Sequence, residues 1–163
     1  MDYKKSAVYT FRNYLSDVLF ETEGFNDQDY YLNGFSDPIS PILPIQDLPE
    51  FSDELSDKPH IVYDLVTSTD PVEYWMLRDE VTLAIVTGSM SKTLEILELL
   101  KDKFGKADVS ADQVNKFATT NNGHFLFFNF SISEAVISAP AIEEAGRQVS
   151  PVVISYSYKR VAS

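Results

Sequence analysis

The chain reads as an α+β domain: a largely antiparallel sheet of four strands, or slightly more, with helices packed on one face and a long extended acidic arm. Three observations lead there. Segments of helical and strand periodicity follow one another as helix, two strands, two helices, two strands. A composition of 44% hydrophobic and 13% aromatic residues in 163 positions is enough for one core. There is no cysteine, so that core must hold without disulfides. The expected layout is a single domain over residues 1–163, with an N-terminal helix at about 4–22, the arm at about 24–58 and the α+β core at about 59–161.

Val8, Phe11, Leu15, Val18 and Leu19 recur at helical spacing and define the first helix. The arm follows. Residues 13–57 hold eleven acids and no Lys or Arg, and the four prolines from Pro38 to Pro49 bias their neighbours to extended geometry. Apolar residues are interspersed with these, so the arm is expected to lie on an apolar surface, either its own domain or a neighbouring subunit. The β-branched run IVYDLVT (61–67) predicts a strand. WMLRDEVTLAIV (75–86), with Val81, Leu83 and Ile85 alternating against Thr82 and Ala84, predicts a second beyond an STDP turn. Ser89 or Ser91 caps a helix lined by Leu94, Ile96, Leu97, Leu100 and Phe104 and stopped by Gly105. Ser110 to Gln113 fits a capping box opening a short helix to about Ala118. HFLFFNFSISEAVIS (124–138) and VSPVVISYSYKRV (149–161) complete the sheet, with Pro151 favouring an edge or a strand start.

Charge and motifs exclude more than they nominate. The chain carries 13 basic and 25 acidic residues, a formal charge of −12, which opposes binding to a phosphate backbone. No unbroken apolar stretch marks a secretion signal or a membrane span, so the expected compartment is the cytosol. Gly88 to Thr93 approaches a P-loop, but Ser91 and Val86 stand where glycines belong, and a helix cap is the better reading. His60 and His124 have no metal-ligand spacing, and no nucleophile elbow nominates a catalytic serine. Asp27, Asp29 and Asn33 lack the closing glutamate of a calcium loop. The expectation is a non-enzyme with no metal and no cofactor.

Ile61 to Asp64, Glu73-Tyr74-Trp75, Arg78 to Thr82, Leu94 to Leu97, Asp108 to Asp112 and Glu143 to Arg147 together resemble the tail-terminator and neck proteins of long-tailed bacteriophages, over roughly residues 59–160. The resemblance implies an α+β subunit that forms a ring, usually of six, capping the tail tube and joining it to the head connector. Its implied partners are further copies of itself, the tail tube protein, the sheath in contractile tails, and the connector or adaptor; genomic DNA passes without tight binding. Its implied place is the virion neck, after assembly in the host cytoplasm. Trp75 and Arg78, residue types enriched among interface anchors, are the expected contacts, with Arg147 and the arm residues Ile42, Leu43, Ile45, Leu48 and Phe51. Asp47, Glu50, Asp53 and Glu54 are the candidate channel-facing acids. A neighbouring adaptor or stopper ring, and an acidic mimic of nucleic acid, are the competing readings.

Overall fold

A computed structural model describes residues 6–22, 25, 41–47, 58–121, 124–134 and 148–161. The fold is α+β, and the described residues form a five-stranded mixed sheet and three α-helices: α1 (Ala7–Leu19), β1 (Ile42–Pro44), β2 (His60–Thr69), β3 (Leu77–Thr87), α2 (Met90–Phe104), α3 (Ala107–Thr120), β4 (Phe125–Glu134) and β5 (Gln148–Arg160). The strand order is β1-β2-β3-β5-β4. All neighbours are antiparallel except β1, which runs parallel to β2.

Alternation decides which face is covered. Val81, Leu83 and Ile85 of β3 and Val152, Ile154 and Tyr156 of β5 point to one side and are fully buried. Phe11 and Leu15 of α1, Ile96, Leu100 and Phe104 of α2 and Val114 of α3 join them in one core. Phe11 sits at its centre, with ring centroids 5.4 Å from Phe104 and 5.1 Å from Tyr156. On the opposite face Asp64, Val66, Glu80 and Thr82 are exposed.

Several boundaries differ from the sequence reading, each for a local reason. The β2–β3 turn takes in Trp75 and Met76, because the Asp70 N–H donates to the Met76 carbonyl and starts β3 at Leu77. Helix α3 begins three residues before Ser110. That hydroxyl accepts the Lys106 N–H from inside the first turn and satisfies an orphan donor without being the cap. Pro151 lies in β5, a central strand, but one residue beyond the last pair with β4, Glu134↔Val152, so it occupies a locally one-sided position. Gly105 does stop α2, and the reason is space. A Cβ there would sit 2.5 Å from the Lys101 carbonyl oxygen.

Within the arm the structure describes residues 25, 41–47 and 58. At 41–47, Ile42↔Ile61 and Pro44↔Tyr63 pair it with β2, and the Arg12 guanidinium donates to the Ile42 carbonyl at 3.3 Å. This stretch straps across its own domain and adds the fifth strand. Asp47 closes a single 3-10 turn (Ile45–Asp47).

Candidate functional site

Both edges of a sheet need management, because unpaired N–H and C=O groups template the addition of another strand. At the β4 edge the chain supplies its own plug. The Asn115 side chain of α3 donates to the Phe127 carbonyl at 3.0 Å and accepts the Phe127 N–H at 2.8 Å, as a neighbouring strand would. Two residues on, Asn129 adopts φ 51° at a bulge between Phe128 and Ser131 that bends the edge.

The β2 edge is treated differently. Strand β1 covers only Ile61 to Tyr63. The Ile61 N–H donates to the Pro41 carbonyl, so odd-numbered residues of β2 turn their backbone groups outward, and Leu65, Thr67 and Thr69 continue that row beyond the end of β1. The Asp64 carboxylate accepts the Leu65 N–H at 2.9 Å. Among the described residues nothing pairs with the outward groups of Thr67 and Thr69, and Val66 to Thr69 are exposed.

Beside this open edge stands the β2–β3 turn. The Asp70 carboxylate accepts the Val72 and Glu73 N–H groups at 2.9 and 2.7 Å and the Ser157 hydroxyl of β5. The Ser157 bond, then the two amides, hold its pKa below the ordinary carboxylate value. Arg78 donates to Ser157 at 3.0 Å and Ser131 at 3.3 Å, tying the turn to β4 and β5. This rigid base presents Val72, Tyr74, Trp75 and Leu77, exposed by 80, 83, 58 and 45%. The Trp75 indole N–H donates to Glu73 at 2.7 Å, and the Lys159 ammonium lies 5.4 Å from the Trp75 ring centroid and 5.8 Å from that of Phe128.

On the core face of the same strands, Asp79 is buried and accepts the Thr67 hydroxyl at 2.7 Å and the Tyr156 hydroxyl at 2.9 Å. Burial raises its pKa, and it raises that of Tyr158 to about 12.

The expected contact residues therefore separate. Trp75 is exposed, and Arg78 is half-buried with two guanidinium nitrogens engaged within the chain. Ile42 and Leu43 are corrected: at 1 and 5% exposure they belong to the chain's own core and strap, not to a contact surface. Ile45 is 46% exposed. Leu48, Phe51, Arg147, Glu50, Asp53, Glu54 and the Asp47 side chain lie outside the described residues, as do the acids of the calcium-like stretch. The sequence reading missed Tyr74, Val72 and the Asn115 plug. The turn pair could have been found from Asp70-Pro71, since an aspartate at a turn start accepts the next amides and projects the intervening side chains. Nothing local announces Asn115, whose partner is on another element.

The remaining features are structural. Ser89 caps α2 through the Lys92 N–H, and the Thr87 and Thr93 hydroxyls meet at 2.6 Å, so the P-loop-like stretch is a helix cap. The buried His60 contacts the Lys58 carbonyl through Nδ1 at 2.8 Å. A groove of about 360 Å³ between α1, β1 and β2 is mainly apolar, with Asp64 its one titratable carboxylate. Among the described residues no group of metal-ligating side chains gathers, and no helix is long and apolar enough to cross a membrane. No protein-family model matches the chain, and no curated protein matches its sequence.

Proposed function

We propose that this chain is a structural assembly subunit whose copies join through the open β2 edge, and that it acts as a tail-terminator ring protein of the phage neck. The observation that carries the assembly reading is the contrast between the two sheet edges: one plugged by Asn115, the other unpaired among the described residues at Thr67 and Thr69, beside an exposed aromatic turn. The terminator reading draws on the residue pattern over 59–160 and on acidity. A ring of copies carrying −12 each repels a passing polyanion and lets DNA through without gripping it.

Magnitudes say what the edge can do. An added strand would make about five hydrogen bonds with Leu65, Thr67 and Thr69, each contributing about 1 kcal/mol net. Association costs about 4–15 kcal/mol in lost freedom. The edge alone therefore gives register and direction, while affinity must come from side chains such as Tyr74 and Trp75 or from a template such as the tube end. A strand donated from one side and accepted on the other is a heterologous contact, which closes into a ring when the rotation permits. No cofactor takes part. The connector, the tube and, in contractile tails, the sheath are the partners this role requires, at the virion neck.

Native mass by light scattering, with negative-stain images of the same peak, tests the proposal. Six copies of 18.4 kDa give about 110 kDa and a central hole. Rings in solution, or rings formed on added tail tubes, are expected; a monomer that neither assembles nor caps purified tubes would overturn it.

A further inference from the structure

Strands β2 and β3 separate two ends of the domain. At one end lie Pro41, Lys58, His60, Thr87 and Gln148; at the other lie the Asp70–Met76 turn, Phe125 and the last residues of β5. The turn end carries the exposed Val72, Tyr74 and Trp75 together with Lys159 and Arg160, both exposed and neither in an ion pair among the described residues. Asp70 at this end is turned inward onto the turn amides and Ser157, and Glu73 is held on the indole N–H. The segment 48–57, LPEFSDELSD, has the complementary chemistry: Glu50, Asp53, Glu54 and Asp57 interleaved with Leu48, Phe51 and Leu55, and no base.

Most of that segment cannot serve its own turn. Asp53, Glu54 and Asp57 are within five residues of Lys58, a reach of at most about 18 Å at ~3.5 Å per residue, or about 28 Å with the carboxylate and lysine side chains extended. The ten residues of β2 place the turn about 30 Å from His60, and farther still from Lys58. Those three acids fall short of Lys159 even when the chain is drawn taut, so a meeting of them with Lys159 is between copies.

We infer that the turn end of the sheet, built on Trp75, Tyr74, Lys159 and Arg160, docks the acidic segment 48–57 of a second copy, head to tail. The segment's apolar residues cover Tyr74 and Trp75, and its carboxylates meet Lys159 and Arg160. The contact is heterologous: each copy offers the segment at one end and the turn at the other, which is the polarity a ring needs. This inference rests on the assembly reading and supplies the side-chain contact that the β2 edge alone lacks. It also accounts for a lysine stacked on an exposed tryptophan, a cation held ready over the surface to be covered.

Trp75 is the only tryptophan, so its emission reports on the site directly. The test titrates a synthetic peptide of residues 47–58 into dilute full-length protein. A saturable blue shift is expected, weakened at least tenfold in 0.5 M salt and at least tenfold by the double substitution Lys159→Glu, Arg160→Glu. Both residues are exposed, and a thermal melt of the double variant checks that it folds. A peptide with Glu50, Asp53 and Glu54 changed to Gln should bind at least tenfold more weakly. No change in emission, or equal binding to the double variant, would overturn the inference. The assembly reading is judged separately by imaging: rings in which Trp75 emission stays that of an exposed indole would refute this contact and leave the ring standing, whereas saturable peptide binding without rings on tubes would do the reverse.

Discussion

Proline at position 67 separates the outward edge of β2 from everything else that Thr67 does. The Thr67 N–H faces away from β3, so a proline there removes no bond among the described residues, and an edge position tolerates its ring. The hydroxyl is a different matter, because it donates to the buried Asp79 carboxylate at 2.7 Å. A hydrogen bond to a charged group is worth about 1.5–3 kcal/mol, so Thr67→Val and Thr67→Pro should both lose about 2 kcal/mol in urea denaturation and agree within about 1 kcal/mol. They should part in assembly. A strand added at Thr67 meets a missing donor and leaves its own carbonyl facing a ring, which costs about 3 kcal/mol, or about a hundredfold per interface. Light scattering across a dilution series reads that difference, with Thr67→Val assembling as the parent does and Thr67→Pro remaining monomeric. Proline unfolding the monomer where valine does not would show that the N–H is paired within the chain. Proline assembling as the parent does would show that the edge is not the joint. Either result refutes the reasoning.

Phe11→Ala should cost about 3–5 kcal/mol in urea denaturation, because it opens a cavity against Phe104 and Tyr156 and unseats α1 from the sheet; a loss under 1 kcal/mol would mean that α1 is not held there. Asn115→Ala should cost about 1–3 kcal/mol and leave the Phe127 backbone groups open, so that light scattering detects disordered aggregation through β4. The pH dependence of stability carries the signature of Asp79. Its folded pKa is raised, so the folded chain holds that proton more tightly than the unfolded chain does. The stabilisation is full below the ordinary carboxylate range and is lost as pH rises from about 4 through the raised value. Asp70, held low, acts in the opposite sense, so the test compares parent with Asp79→Asn by denaturation at several pH values and expects the falling contribution to vanish in the variant.

Periodicity made much of this fold legible in the sequence. The alternation Val81, Leu83, Ile85 became the buried face of β3, and the spacing of Phe11 and Leu15 became the buried stripe of α1, because one-sided burial forces periods of 2 and 3.6. What stayed hidden depends on distant partners. The parallel pairing of Ile42 with Ile61 turned a stretch of arm into a strand, and no local rule sets apart a Pro-bounded apolar triplet that pairs from one that reaches a neighbour. Ser110 looked like a cap, but it works equally well one turn inside the helix. In the candidate surface Trp75 was legible from residue type alone. Its setting was not, because the edge, the Asn115 plug and the Lys159 stack exist only once β2, β4 and β5 lie side by side.

The most direct test of the central claim follows hydrogen exchange at the Thr67 and Thr69 amides, in dilute monomer and in the assembled particle. In the monomer both should exchange at nearly the rate of an open chain, while Val66 and Ser68, turned toward β3, are protected. In the assembly the account predicts that Thr67 and Thr69 become protected along with them. Amides that exchange equally fast in both states would contradict it.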